Sequence, residues 1–286
     1  MISAKTKLYG ILGDPIEHSL SPAIQNAALQ ATGIEAVYLA FRVKKERLKE
    51  AVAGIRSLDV KGVNVTIPHK VDIIKYLDRV DPLAEQIGAV NTVKNEDGEL
   101  TGYNTDGLGA IKALKEAAQN LAHKRVILVG AGGAAKAISY TLANEGANLT
   151  ILNRNLLRAK TLAEEIEAKT GRTIDYLDLH PDNLEKTLTN AEILVNATSV
   201  GMTPKSKETP VDKKFLHPKL VVFDIVYNPL ETRLLREARE KGARVVDGLG
   251  MLIYQGAEAF EIWTKQKAPV EVMRSAALTE LKVQKT

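Results

Sequence analysis

The chain has 286 residues, enough for two ordinary domains, and its 45% hydrophobic and 26% charged side chains are the balance of a globular protein. It has no cysteine, which excludes disulfides, thiolate metal sites and a cysteine nucleophile together. The net charge of +4 is scattered without a basic block, so no nucleic-acid surface is marked, and no apolar run approaches the roughly 20 residues that cross a bilayer.

The opening residues lack the apolar core of a signal peptide, and the expected location is cytoplasmic. His18, His69, His123, His180 and His217 lie far apart without metal-ligand spacing; each reads as a surface or loop residue, and no metal is expected. Strand-like and helix-like patterns alternate, which predicts an α/β protein with parallel sheets. The first half reads as a strand at 8–12, a helix from Pro22 closed by Gly33, and a strand near 36–42. A helix through 45–57 and a strand at 62–67 follow, then a helix opening just after Pro68. A hairpin at 90–103 turns on Asp97-Gly98, a dipeptide suited to a type I′ turn. A linking helix is predicted at 107–119, then strands at 126–129, 149–152, 193–195, 220–223 and 244–246 with helices between most of them, the rhythm of a doubly wound sheet. The stretch 249–283 reads as helical.

Gly130-Ala131-Gly132-Gly133-Ala134-Ala135 directly follows a strand and opens a helix, which makes its G-x-G-x-x-G/A pattern meaningful. The first glycine allows the tight turn, the second lets the backbone approach a pyrophosphate, and the small third residue lets helix and strand pack closely. An NAD site usually ends the next strand with an acid on the ribose 2′-hydroxyl; here it ends Asn153-Arg154, with Arg158 one helical turn later. Guanidinium groups at that place suit a 2′-phosphate, so the expected cofactor is NADP. The two arginines are i, i+4 neighbours only if a helix has begun by Arg154.

In Gly62-Val-Asn64-Val-Thr66-Ile-Pro68-His-Lys70, strand alternation puts Asn64 and Thr66 on one polar face, which suggests a ligand cleft. Pro68 suits a first helical position and places Lys70 in the first turn, where a cation is unusual and a proton-shuttling role is the candidate reading. Pairing across the hairpin sets Asn91 opposite Asn104, with Asp106 two residues on; Asp106 also fits a helix N-cap. Ser21 before Pro22 suits an N-cap, which leaves Ser19 the better ligand candidate of the two.

Together these segments resemble the shikimate dehydrogenase family. The matching stretches are Gly13–Pro22, Gly62–Lys70, Gly88–Thr92, Gly102–Gly107, Gly130–Ala134, Asn153-Arg154, Asn196–Met202, Asp224–Thr232, Asp247-Gly248 and Gln255-Gly256, in family order over nearly the whole chain. The resemblance implies a two-lobed fold, with an α/β substrate-binding and catalytic domain at 1–105 onto which the helices of 252–286 pack back. A Rossmann-like doubly wound NADP-binding domain would then occupy 106–251. It implies reversible, NADP-dependent reduction of 3-dehydroshikimate to shikimate, on the route to aromatic amino acids. By position, Ser19, Ser21, Asn64, Thr66, Lys70, Asn91, Asp106, Tyr227 and Gln255 would hold the substrate, with Lys70 and Asp106 the catalytic pair. Thr198, Gly201, Met202, Ile225, Gly248 and Met251 would join the glycine loop around the cofactor.

The chain departs from the family at Asn155, where threonine is frequent, and at Pro82, where some relatives carry an acid; no role is assigned to Pro82. The expected partner is a small molecule, not nucleic acid or membrane, with a homodimer the one assembly considered. The rival readings are an NAD-using quinate/shikimate dehydrogenase and, in another class, a cofactor or metabolite sensor without turnover. A reductase of the glutamyl-tRNA type is set aside because it needs a cysteine nucleophile.

Overall fold

The computed structural model describes residues 2–283. Met1 and 284–286, the last part of the expected C-terminal stretch, lie outside the described residues. The chain divides into two compact units, one of residues up to Thr105 together with those from Ile253 on, the other of Asp106–Leu252.

The first unit opens with β1 (Lys7–Gly13) and α1 (Ser21–Ala31), whose buried Ile24, Gln25, Ala28 and Leu29 recur at helical spacing. Gly33, at φ +68°, ends α1: its N–H donates to Gln30 and the N–H of Ile34 to Leu29, closing the last carbonyls. β2 (Ala36–Arg42) follows, then a 3-10 turn at 45–47 leading into α2 (Leu48–Ser57) and β3 (Gly62–Val65).

The helix expected after Pro68 is absent. Thr66–Val71 form turns, and only a 3-10 helix spans Asp72–Tyr76. The physical reason is a long-range bond: the Lys70 carbonyl accepts from the N–H of Val90 at 2.8 Å and anchors this segment against the strand region beyond it. His69 is a loop residue but is fully buried, its Nε2 at 2.6 Å from the Val43 carbonyl.

β4 (Arg79–Val80) precedes α3 (Pro82–Ile87), which Asp81 caps by accepting from the N–H of Leu83. Pro82 is thus the first residue of a short helix, a position where its missing N–H is not needed. β5 (Thr92–Glu96) and β6 (Glu99–Tyr103) form the expected hairpin, with Asp97 at φ 51° and Gly98 at φ 92° as a type I′ turn requires. The sheet order is β2-β1-β3-β5-β6-β4. It is mixed, not parallel as predicted, because the hairpin makes β5 antiparallel to both β3 and β6.

The second unit carries α4 (Thr105–Ala117) from its second residue on, β7 (Arg125–Val129), α5 (Gly133–Asn144), β8 (Asn148–Asn153) and α6 (Leu156–Thr170). β9 (Asp175–Asp178), α7 (Pro181–Leu188), β10 (Ile193–Asn196), β11 (Val221–Asp224), α8 (Arg233–Glu240) and β12 (Arg244–Val246) complete it. All six strands are parallel in the order β12-β11-β10-β7-β8-β9, so the order reverses between β7 and β10. That reversal is the switch point at which doubly wound sheets bind ligands. Apolar residues of consecutive strands, among them Ile127, Val129, Leu152, Leu194 and Val222, pack with Leu234, Leu235 and Ala238 of α8 into one core.

α9 (Gly248–Thr264) and α10 (Val270–Val283) follow, and from Ile253 on they belong to the first unit. Trp263 fixes them there. Its indole N–H donates to the Val93 carbonyl at 2.9 Å, its ring stacks on Tyr9, and a Cβ on Gly62 would lie 2.3 Å from it. Gly62 is therefore the gap that the indole fills.

Candidate active site

In the first unit, buried polar side chains form one connected wall. The Tyr38 hydroxyl donates to Asn64 Oδ1 at 2.7 Å; Asn64 Nδ2 donates to Thr92 Oγ1 at 3.0 Å and to the Asn91 carbonyl at 3.2 Å. Asn91 Oδ1 accepts from the N–H of Thr105 at 2.7 Å, and its Nδ2 donates to Thr105 Oγ1 at 3.0 Å and reaches Gln255 Oε1 at 3.5 Å. Burial pushes the Tyr38 hydroxyl well above its ordinary pKa, against an opposing hydrogen bond from Ser21. Tyr38, Asn64, Asn91, Thr92 and Thr105 are each less than 5% exposed. A buried network with its partners in place is rigid. Lys70, half-buried, is tied to this wall through its carbonyl, one residue from Asn91.

Ser19, Ser21, Asn64, Thr66, Lys70, Asn91 and Gln255 are thus all in the first unit. Ser21 is not the N-cap of α1: Leu20 takes that position, and Ser19 Oγ accepts from the N–H of Ser21 at 3.3 Å. The exchange arises because the helix begins one residue earlier than the proline suggests. Thr66 lies just past β3, half-exposed, its N–H still donating to the Leu12 carbonyl. Asp106 is the second residue of α4 and not its cap, because that helix starts at Thr105. Asp106 and Tyr227 belong to the second unit, where burial raises the Tyr227 pKa.

The second unit places the glycine loop at its switch point. Gly130 has φ +124°, and a Cβ there would lie 2.9 Å from the Ala197 carbonyl oxygen, so both conformation and space demand glycine. Cβ atoms on Gly132 or Gly133 would meet nothing within 4 Å, and both residues are exposed. α5 opens at Gly133, and no side chain caps it. Accessible amides at the positive end of a helix fit a pyrophosphate. Ala131 and Ala134 flank these glycines half-exposed.

Beyond the carboxyl end of β8, Asn153 and Arg154 line a cavity of about 520 Å³ together with Thr198 and Ser199. α6 starts only at Leu156, capped by Asn155, whose Oδ1 accepts from the N–H of Arg158 at 3.2 Å. Arg154 and Arg158 therefore flank the helix start, both exposed, and are not stacked along one helix face. The departure at Asn155 has a structural role of its own.

Around the loops after β10 and β11, Asp224 is the organiser. It is fully buried and accepts from Asn196 Nδ2 at 2.9 Å, from the N–H of Val226 at 3.1 Å and from Thr232 Oγ1 at 2.6 Å. Burial pushes its pKa up to about 6 despite those bonds. Asn196 in turn accepts from Thr198 Oγ1 at 2.7 Å, which fixes the start of the loop carrying Gly201 and Met202. Gly248 lies against Ile225, since a Cβ on it would sit 2.2 Å from the Ile225 carbonyl oxygen. Met251 is buried in α9, and Met202 is exposed. No local pattern singles out Tyr38, Thr92, Thr105, Asn196 or Asp224. Thr92, Thr105, Asn196 and Asp224 stand in the sequence only as members of the family-matching stretches, and Tyr38 carries no signal there.

A glycine-rich turn at the switch point of a six-stranded parallel sheet defines a dinucleotide-binding α/β protein, here joined to a second unit with a buried polar wall. Family models for the shikimate dehydrogenase substrate binding domain, for shikimate / quinate 5-dehydrogenase and for the shikimate 5′-dehydrogenase C-terminal domain match residues 11–93, 112–229 and 248–278. The chain is 49% identical to the NADP(+) shikimate dehydrogenase of Methanopyrus kandleri, over 98% of each chain. It is similar in structure to a shikimate dehydrogenase crystallised with NADP+, with a TM-score of 0.94 at 45% identity over 98% of each chain. It is also similar to the shikimate 5-dehydrogenase of Listeria monocytogenes in complex with shikimate and NAD, with a TM-score of 0.92 at 43% identity over 96% of this chain and 97% of that one. The chain belongs to the shikimate dehydrogenase family.

Proposed function

We propose that the protein is a cytoplasmic, NADP-dependent shikimate dehydrogenase that reversibly reduces 3-dehydroshikimate to shikimate. The observation that carries this reading is the pairing, in one family member, of an open glycine loop followed by Asn153-Arg154 with a polar wall adjoining Lys70.

The backbone of Gly130–Ala134 would hold the pyrophosphate, and Asn153, Arg154 and Arg158 the 2′-phosphate. Thr198, Gly201, Met202, Ile225, Gly248 and Met251 would line the remainder of the cofactor. Bound NADPH supplies the hydride. Reduction of a ketone leaves negative charge on its oxygen, and Lys70 Nζ donates the proton that neutralises it. By the family pattern Asp106 would be its partner in the proton transfer, and in the reverse direction Lys70 takes the hydroxyl proton. Ser19, Ser21, Asn64, Thr66, Asn91, Tyr227 and Gln255 are the groups that hold the substrate's hydroxyls and carboxylate. Asn64 and Asn91 can do so without losing rotamer freedom on binding, because Tyr38, Thr92 and Thr105 already fix them.

The test is an oxidation assay by NADPH or NADH absorbance, with shikimate and quinate each paired with NADP+ and NAD+. The expected outcome is a strong signal only for shikimate with NADP+. Preferred use of quinate or of NAD+ would assign the chain a different specificity, and NADP+ binding without turnover in any pairing would support a sensor.

A further inference from the structure

The cavity beyond β8 is also bordered by the segment Lys207-Glu208-Thr209-Pro210 and by Arg233, which no motif and no positional carry-over connects with the cofactor. Arg233 holds that segment: its Nη1 donates to the Lys207 carbonyl at 3.1 Å, while its Nε pairs with Glu237 at 2.7 Å. Glu208, the one carboxylate on the cavity, lies 3.7 Å from Lys205. Lys207 itself is exposed, and among the described residues its ammonium has no carboxylate partner; the same holds for Arg154, which lines the same cavity. Two uncompensated cations thus border one cavity, at the strand end where a doubly wound sheet receives the adenosine ribose.

We propose that Lys207 is a specificity-determining residue for the phosphorylated cofactor, its ammonium pairing with the adenosine 2′-phosphate together with Arg154. The proposal rests on the reading that this unit binds NADP, and extends it to a residue outside the Asn153-Arg154 motif. A phosphate monoester carries nearly two negative charges near neutral pH, so a second cation gains what a neutral 2′-hydroxyl cannot offer. Because Arg233 fixes the Lys207 backbone, only the lysine side chain is ordered on binding, which lowers the entropic cost of the contact.

The experiment is calorimetric binding of NADP+, NAD+ and 2′,5′-ADP to the full chain and to Lys207→Gln, Lys207→Arg and Arg154→Ala. For Lys207→Gln the expected result is a Kd about 10-fold weaker for NADP+ and 2′,5′-ADP, the low end for a hydrogen bond to a charged group, with NAD+ unchanged. Lys207→Arg should retain most of the affinity. Unchanged NADP+ binding by Lys207→Gln, or equal weakening of NADP+ and NAD+, overturns the role of Lys207. If Arg154→Ala still discriminates against NAD+ less than the parent chain does, the NADP reading survives that failure. If neither variant changes discrimination between the two cofactors, the placement of the 2′-phosphate fails with it.

Discussion

Asp224 ends β11 with no exposed surface and a pKa pushed up to about 6 by burial. The folded chain therefore holds this proton more tightly than the unfolded chain, where an aspartate titrates near 4. The sign follows from linkage. The stabilisation is fully present below about pH 4 and is lost as pH rises through about 6, a difference of about 3 kcal/mol at 1.36 kcal/mol per pH unit. Asp224→Asn keeps the shape and removes the titration. Urea unfolding should show the parent chain losing about 3 kcal/mol relative to this variant between pH 4 and pH 7; parallel profiles would contradict the assignment. This desolvated carboxylate sits between Asn196 and Thr232, which lets it set the loops that carry Thr198 and Ile225. None of this is legible locally. Asp224 stands in the sequence only as the start of the matching stretch Asp224–Thr232, and its partner Asn196 is 28 positions away.

Elements with strong local chemistry were legible. The α1 stop at Gly33, the Asp97-Gly98 hairpin and the apolar runs of β7, β8, β10, β11 and β12 each carry their own signal. β9 did not, because Asp175-Tyr-Leu-Asp178 is a short edge strand with two half-buried residues at its centre. The segment after Pro68 misled for a different reason. Its helix-compatible sequence is overruled by the bond from Val90 to the Lys70 carbonyl, a tertiary contact that local propensity cannot report. The start of α6 was displaced past Arg154 by the Asn155 cap. That cap is testable alone: Asn155→Ala should lower stability by about 1 kcal/mol, visible as a drop in Tm, and Asn155→Asp should preserve it. Equal stability of all three proteins would show that the cap contributes nothing.

At the scale of the whole molecule, the alternation of patterns was enough for two α/β units, and the sequence rhythm from β7 to β12 matched the doubly wound order. The mixed character of the first sheet followed from its hairpin, and the return of the C-terminal helices rests on Trp263 over Gly62. Of the candidate site, the glycine loop, Lys70 and the wall residues Asn64 and Asn91 were readable from the sequence. The rest of the buried wall was not, because Tyr38, Thr92 and Thr105 gain meaning only through partners distant in sequence.

In the proposed reaction the first unit supplies Lys70 and most of the substrate-holding groups, and the second supplies the cofactor site together with Asp106 and Tyr227. The measurement that tests this most directly is steady-state kinetics of Lys70→Ala with shikimate, paired with direct NADP+ binding. We expect kcat to fall by about 10² or more, with the shikimate KM within a few-fold and the NADP+ Kd unchanged. A large rise in KM with normal kcat would make Lys70 a binding residue, and would contradict the claim that it moves the proton.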